Sequence, residues 1–152
     1  MLFRSPQIPA RVGIWGLSYG GLLTAQALAR NSDIFVAGVD LAGVHLYGNS
    51  LDSTNLAYQS SAAAHIDTWK SPVFLVHGDD DRNVDFGQTI GLVNLLRAHN
   101  IYYDLTVVPD DVHESLLHSR WMDIFSRSSD FLHRFVWDRQ TPPVMTTTSG
   151  SK

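Results

Sequence analysis

The chain has 152 residues, 44% of them hydrophobic, with eleven basic side chains against fifteen acidic ones and no cysteine. That length and content suit one globular domain. A net charge of −4 with no basic block argues against nucleic acid or an anionic membrane surface as partner, and the lack of cysteine excludes a thiol nucleophile, a disulfide framework and a thiolate metal site. No apolar run reaches the length of a membrane span, and the opening Met1 to Pro6 carries no apolar core of a signal peptide.

Residues 1–10, with Pro6 and Pro9, read as an irregular lead-in. Residues 11–15 read as a buried strand built on Val12-Gly13-Ile14-Trp15. Residues 16–21, Gly-Leu-Ser-Tyr-Gly-Gly, then form a G-x-S-x-G pattern with a strand before and a helix after. Gly16 and Gly20 are expected to leave room where a Cβ would collide with the neighbouring strand or helix. Residues 20–30 predict a helix whose small side chains Ala25, Ala27 and Ala29 permit close packing on a sheet. Ile34 to Val39 is the next strand, ending at Asp40; both strands are nearly continuous apolar runs, as parallel strands covered on two faces should be. Residues 43–71 are the least regular part, a long connection with short helices over 55–58 and 60–66. This connection is expected to arch over the site, with Tyr47 and Tyr58 as candidate substrate-binding wall residues. Val73 to His77 resumes the sheet, and Phe86, Ile90, Val93 and Arg97 mark one face of a helix ending near His99-Asn100. Tyr102 to Val108 is the last strand. Ser115 to Phe135 carries Leu117, Trp121, Ile124, Phe125, Leu132 and Phe135 at helical spacing. From Gln140 the Pro, Thr and Ser content predicts a disordered tail over 140–152, leaving 1–139 as the folded part.

Strands alternating with helices imply βαβ units and an α/β fold with about four parallel strands and flanking helices. Sites in such sheets lie outside the carboxyl ends of the strands. Ser18, the run Asp79-Asp80-Asp81 and His113 each follow a strand. The chain order Ser, Asp, His is that of the α/β-hydrolase triad. Serine is a weak nucleophile at neutral pH and needs a base to take its proton; histidine suits that role, and a carboxylate fixes the imidazole tautomer. Spacing alone does not choose among Asp79, Asp80 and Asp81, with Asp85 beyond. Among seven histidines, His77 ends a strand and reads as a buried core residue, while His99, His118 and His133 sit on helices. His45 and His65 fall in the irregular segment and could line a pocket; His113 alone follows the last strand. His113 and His118 lack the H-E-x-x-H spacing of a metal site, and no Gly-rich phosphate loop is present, so neither a metal nor another cofactor is expected.

Three stretches, Arg11 to Gly21 (RVGIWGLSYGG), Ser71 to Val84 (SPVFLVHGDDDRNV) and Pro109 to His113 (PDDVH), resemble the prolyl oligopeptidase family of serine peptidases. More narrowly they look like its dipeptidyl peptidase and acylaminoacyl peptidase branch, over about residues 9–137. The resemblance implies a partial α/β-hydrolase fold and cleavage of peptide substrates through an acyl-enzyme. The family's H-G-x-x-D pattern maps the acid to Asp81, its P-D-x-x-H pattern maps the base to His113, and Ser18 is the nucleophile. The backbone N–H of Tyr19 is the oxyanion donor that the resemblance implies. Family members carry an N-terminal β-propeller or similar domain and an eight-stranded hydrolase domain. The chain corresponds to the C-terminal half of that catalytic domain. The tyrosine hydroxyl that supplies a second oxyanion contact and the acidic residues that hold a free amino terminus have no counterpart in it. The nucleophile strand, central in the intact fold, would have an unpaired edge, so the chain is expected to need the upstream part or to oligomerise. Carboxylesterases and dienelactone hydrolases use the same triad on the same fold, and a half-domain without activity is the non-enzyme alternative.

Overall fold

The computed structural model describes residues 11–47 and 53–145. The lead-in 1–10, residues 48–52 of the irregular connection and positions 146–152 of the expected tail lie outside that range; 140–145 form neither helix nor strand. Strands β1 (Val12–Leu17), β2 (Phe35–Leu41), β3 (Val73–Gly78) and β4 (Tyr103–Val108) make one parallel sheet in the order β1-β2-β3-β4. Parallel neighbours need a crossover, and helical segments supply it. Helix α1 (Tyr19–Arg30) joins β1 to β2; α2 (Leu56–Gln59) and a 3-10 segment (Ala62–Thr68) lie between β2 and β3; α3 (Gly87–Ala98) joins β3 to β4. Helix α4 (His118–Leu132) follows β4 and runs on into a π-helical turn, His133–Trp137. Among the described residues no helix is long and apolar enough to cross a membrane.

Alternation along β3 divides the core. Val73 and Leu75 face α1, α3 and the 3-10 segment, packing with Ala25, Leu28, Ile66 and Leu92. Phe74 and Val76 face the other way, onto Ile124, Phe131 and Phe135. A strand buried on both faces has no polar side to alternate with, which is why β3 reads as an unbroken apolar run. Strand β1 is different. Among the described residues it is an edge, and Trp15 is 42% exposed where the sequence predicts a buried strand. The α3 stripe is also displaced from expectation: the buried positions are Thr89, Leu92, Val93 and Leu96, while Ile90 is 45% exposed and Arg97 faces solvent. The phase of that helix is set where Thr89 Oγ1 meets His77 Nδ1 at 2.7 Å. Leu117, just before α4, and Phe125 on it lie on the surface, and Phe125 stacks on Trp121 at 5.5 Å and lies 6.0 Å from the Trp15 ring.

The registers bring the strand ends level. Leu17 stands opposite Leu41, Leu41 opposite Val76, and Gly78 opposite Val108. The turns after β1, β3 and β4 therefore open on the same edge of the sheet.

Candidate active site

Strand β1 ends at Leu17 and α1 begins at Tyr19, so Ser18 alone makes the turn, with φ 59° and ψ −114°. That left-handed conformation costs a non-glycine residue about 1–3 kcal/mol and persists only where the surroundings impose it. Here the Ser18 N–H donates to the Leu41 carbonyl at 2.8 Å, and the Ser18 carbonyl accepts from Leu22 N–H at 3.0 Å. A Cβ on Gly16 would overlap the Gly20 carbonyl, as expected for that position. At Gly20 the expectation fails, because a Cβ there meets nothing within 4 Å. The second obligatory glycine is Gly21, pressed against the Asp40 carboxylate, Gly43 and the Leu41 carbonyl. Ser18 is half-buried rather than sealed beneath α1.

The turn after β3 separates the three aspartates. Asp79 accepts the Asp110 N–H at 2.7 Å, and Asp80 pairs with Arg82 at 3.3 Å; both carboxylates face solvent. Asp81 is buried. Its Oδ1 accepts the N–H groups of Asn83 and Val84 at 2.8 and 2.9 Å, and its Oδ2 lies 2.7 Å from His113 Nδ1 and 3.1 Å from His77 Nε2. Burial pushes the Asp81 carboxyl up, but the hydrogen bonds from His113, Val84 and Asn83 outweigh it and hold the group below its ordinary value.

His113 follows β4 in a loop fastened to the β3 turn, where Asp79 N–H donates to Val108 O at 3.3 Å and Asp80 N–H to Asp111 O at 3.1 Å. Gly78 must be glycine because a Cβ would overlap the Asp111 carbonyl. Asp111 is held in turn by Arg120 at 3.0 Å. With Asp81 accepting, Nδ1 of His113 carries the proton and Nε2 keeps its lone pair free to act as a base. Among the described residues no hydrogen bond joins Ser18 Oγ to His113; the geometry brings Asp81 and His113 together and leaves the Ser18 hydroxyl unengaged.

His77 is the partner that sequence reasoning placed only as core. Its Nε2 faces two acceptors, Asp81 Oδ2 and the Val84 carbonyl at 3.0 Å, so Nε2 donates and Nδ1 accepts from the Thr89 hydroxyl. It thereby holds the carboxylate that holds His113. The i,i+4 spacing of His77 and Asp81 was the available signal. Beside His113 lies a cavity of about 30 Å³, water-sized, with Leu17, Val112, Trp121 and Ile124 in its walls.

The described part of the irregular connection is tied to α1 and α3. The Ala62–Thr68 segment packs on α1 and α3, and Arg30 and Gln26 of α1 bond to the Gln59 and Ser60 carbonyls. Tyr58 therefore sits beside the C-terminal half of α1, and Arg30 is about 18 Å along the helix from Ser18 at 1.5 Å per residue. Tyr47 donates its N–H to Ser61 Oγ at 2.7 Å. Neither tyrosine lines the cavity beside His113.

A family model, described as the prolyl oligopeptidase family, matches residues 5–59 and 45–137. The chain belongs to the prolyl oligopeptidase family. It is 33% identical over 124 residues to a protein of Aspergillus flavus named probable dipeptidyl peptidase 4, covering 72% of this chain and 15% of that one. The structure is similar to dipeptidyl peptidase 4 of Porphyromonas gingivalis, with a TM-score of 0.73 and 28% identity over 83% of this chain and 20% of the other. An acylaminoacyl peptidase shares the fold at a TM-score of 0.68 and 22% identity, covering 93% of this chain and 26% of that one. The four parallel strands and their helices are thus those of the α/β-hydrolase peptidases. The chain spans about a sixth of the length of the curated relatives it matches.

Proposed function

We propose that the chain carries the catalytic triad of a serine peptidase, with Ser18 as nucleophile, His113 as general base and Asp81 as the carboxylate that orients it. The observation that carries the reading is the 2.7 Å bond from His113 Nδ1 to the buried Asp81, which leaves Nε2 free to act as a base, on the sheet edge where Ser18 makes its left-handed turn. In this mechanism Ser18 Oγ attacks the scissile peptide carbonyl while its proton passes to His113 Nε2. Asp81 stabilises the resulting imidazolium. The tetrahedral oxyanion takes the Tyr19 N–H, which as the first residue of α1 has no intrahelical acceptor. Collapse breaks the C–N bond, and His113 gives its proton to the leaving amine. Water, deprotonated by the same imidazole, then attacks the acyl-enzyme, and the acid product leaves with Ser18 restored. The relatives' names favour peptides, with release of a dipeptide from the amino terminus as the specific form to test. Tyr47 and Tyr58 remain candidate contacts for a substrate extending along the 43–71 connection.

A fluorophosphonate probe tests the triad without needing the true substrate. Labelling at Ser18 in folded chain, lost in Ser18→Ala and His113→Ala, supports the reading. No labelling of folded chain supports the half-domain alternative, which the unengaged Ser18 side chain favours. Turnover of p-nitrophenyl esters with none of dipeptide amides would point to the esterase reading. The open β1 edge motivates the further proposal that the chain self-associates or requires an additional segment to act.

A further inference from the structure

A second buried Asp–His pair lies behind the nucleophile turn, and the mechanism above does not use it. Asp40 stands near the end of β2 opposite Gly16, and both it and His45 are 1% exposed. Asp40 Oδ2 is 2.7 Å from His45 Nε2, and His45 Nδ1 is 3.1 Å from the Gln88 main-chain oxygen. A carbonyl only accepts, so Nδ1 carries a proton; Nε2 faces a carboxylate, so a second proton is shared within the pair. The Gln88 side chain completes the arrangement. Its Oε1 accepts the N–H groups of His45 and Leu46, both at 2.9 Å, and its Nε2 donates to the Leu46 carbonyl at 3.1 Å. The chain after β2 is thus fastened to α3. Asp40 Oδ1 has no hydrogen-bond partner and rests against Gly21 and Gly43, where a Cβ on either would overlap it.

A pair buried this deeply is a weak source of net stability, because desolvating both charges offsets their attraction. Its place in the fold gives it another use. Leu41, next to Asp40, accepts the Ser18 N–H at 2.8 Å. Ala42 takes φ 47° and donates to the Val76 carbonyl at 2.8 Å. Two non-glycine residues, Ser18 and Ala42, therefore hold left-handed conformations side by side, which requires surroundings that over-determine them. We propose that Asp40, His45 and Gln88 form a positioning clamp that fixes the tip of β2 and, through the Leu41 carbonyl, holds the Ser18 turn in shape. The functional meaning of the clamp rests on Ser18 being the nucleophile; its existence does not. Asp40 is the charged group acting on His45, and the neighbouring elements present neutral partners, the Gln88 carbonyl from α3 and the Ala63 N–H, which bonds the His45 carbonyl at 3.2 Å. Burial lowers the proton affinity of His45, but the charge and hydrogen bond of Asp40, with the Gln88 carbonyl, raise it above the ordinary 6.5.

Amide hydrogen exchange on the full 152-residue chain and its Asp40→Asn variant tests the clamp. Ser18 and Ala42 are expected to lose at least tenfold more protection than Val73, whose N–H donates to the Tyr102 carbonyl at 3.2 Å within the sheet. Equal loss at all three is global destabilisation and overturns the clamp. Should Asp40→Asn fail to fold, the ring nitrogen shifts of wild-type His45 decide: a protonated Nδ1, as its bond to the Gln88 carbonyl requires, upholds it, and a bare Nδ1 overturns it. Fluorophosphonate labelling runs alongside. In Asp40→Asn the second-order labelling rate is expected to fall at least tenfold, toward the ~100-fold that a 1 Å misplacement costs, with the midpoint of its pH profile unmoved. Unchanged labelling despite lost Ser18 protection overturns the positioning role. Wild-type chain that shows the clamp yet takes no label refutes the nucleophile and leaves the clamp standing.

Discussion

Asp81→Asn is the sharpest perturbation of the proposed triad, because an amide offers one acceptor where the carboxylate offers two. If the Asn NH2 occupies the Oδ1 position, it meets the N–H groups of Asn83 and Val84 at 2.8 and 2.9 Å, donor against donor. A buried N–H left unpaired, as at Val84, costs about 1–3 kcal/mol, and the part-buried Asn83 N–H loses its partner as well. If the NH2 occupies the Oδ2 position, both those bonds survive and the amide faces His113 Nδ1 and His77 Nε2. His77 keeps the Val84 carbonyl at 3.0 Å, and His113 adapts by moving its proton from Nδ1 to Nε2. The second arrangement strands fewer groups and wins. The chain then folds, with a loss of about 1–3 kcal/mol that urea denaturation reads. Its Nε2, now protonated, cannot take the Ser18 proton. The second-order rate of phosphonylation at Ser18 is expected to fall by about 10⁴, the scale of a wrong imidazole tautomer in a serine triad. A rate within tenfold of wild type would refute the reasoning. So would an equal loss in Asp79→Asn or Asp80→Asn, whose side chains point to solvent.

Stability should depend on pH at both ends. Asp81 has a depressed folded value, so its contribution is present above the unfolded 3.8 and lost as pH falls through the folded value; acid denaturation monitored by circular dichroism should show this step, and Asp81→Asn should lack it. His45 has a raised folded value, so its contribution is complete below 6.5 and lost as pH rises through the folded value; urea midpoints falling across that range, and flat in Asp40→Asn, are the expected outcome. Gly16→Ala should abolish labelling or folding, because the Cβ meets main chain that cannot move aside, whereas Gly20→Ala, in open space on α1, should stabilise by about 0.5–1 kcal/mol in thermal denaturation. Trp15→Lys should raise the monomer fraction in size-exclusion chromatography, since it places a charge on the exposed β1 edge beside Phe125; an unchanged elution profile would remove that edge as the contact.

The sequence by itself determined the parts of this protein that follow from local periodicity and turn chemistry. The apolar runs of β2 and β3, the tight turn at Ser18 and the four-strand parallel plan were legible because burial on two faces and a glycine-flanked strand-to-helix turn leave marks within a few residues. Family patterns then singled out Asp81, which spacing alone had left level with Asp79 and Asp80. What only the tertiary structure decided involves residues distant in the chain. The phase of α3 depends on Thr89 meeting His77, and Gly21 rather than Gly20 is crowded because Asp40 arrives from another strand. Tyr58 lies along α1 because the Gln59 and Ser60 carbonyls bond there, a contact that no local pattern encodes. The roles of His77 and of the Asp40–His45 pair were hidden for the same reason. A buried histidine looks alike in sequence whether it merely fills space or holds a carboxylate, and only the positions of its two ring nitrogens against their partners tell the cases apart.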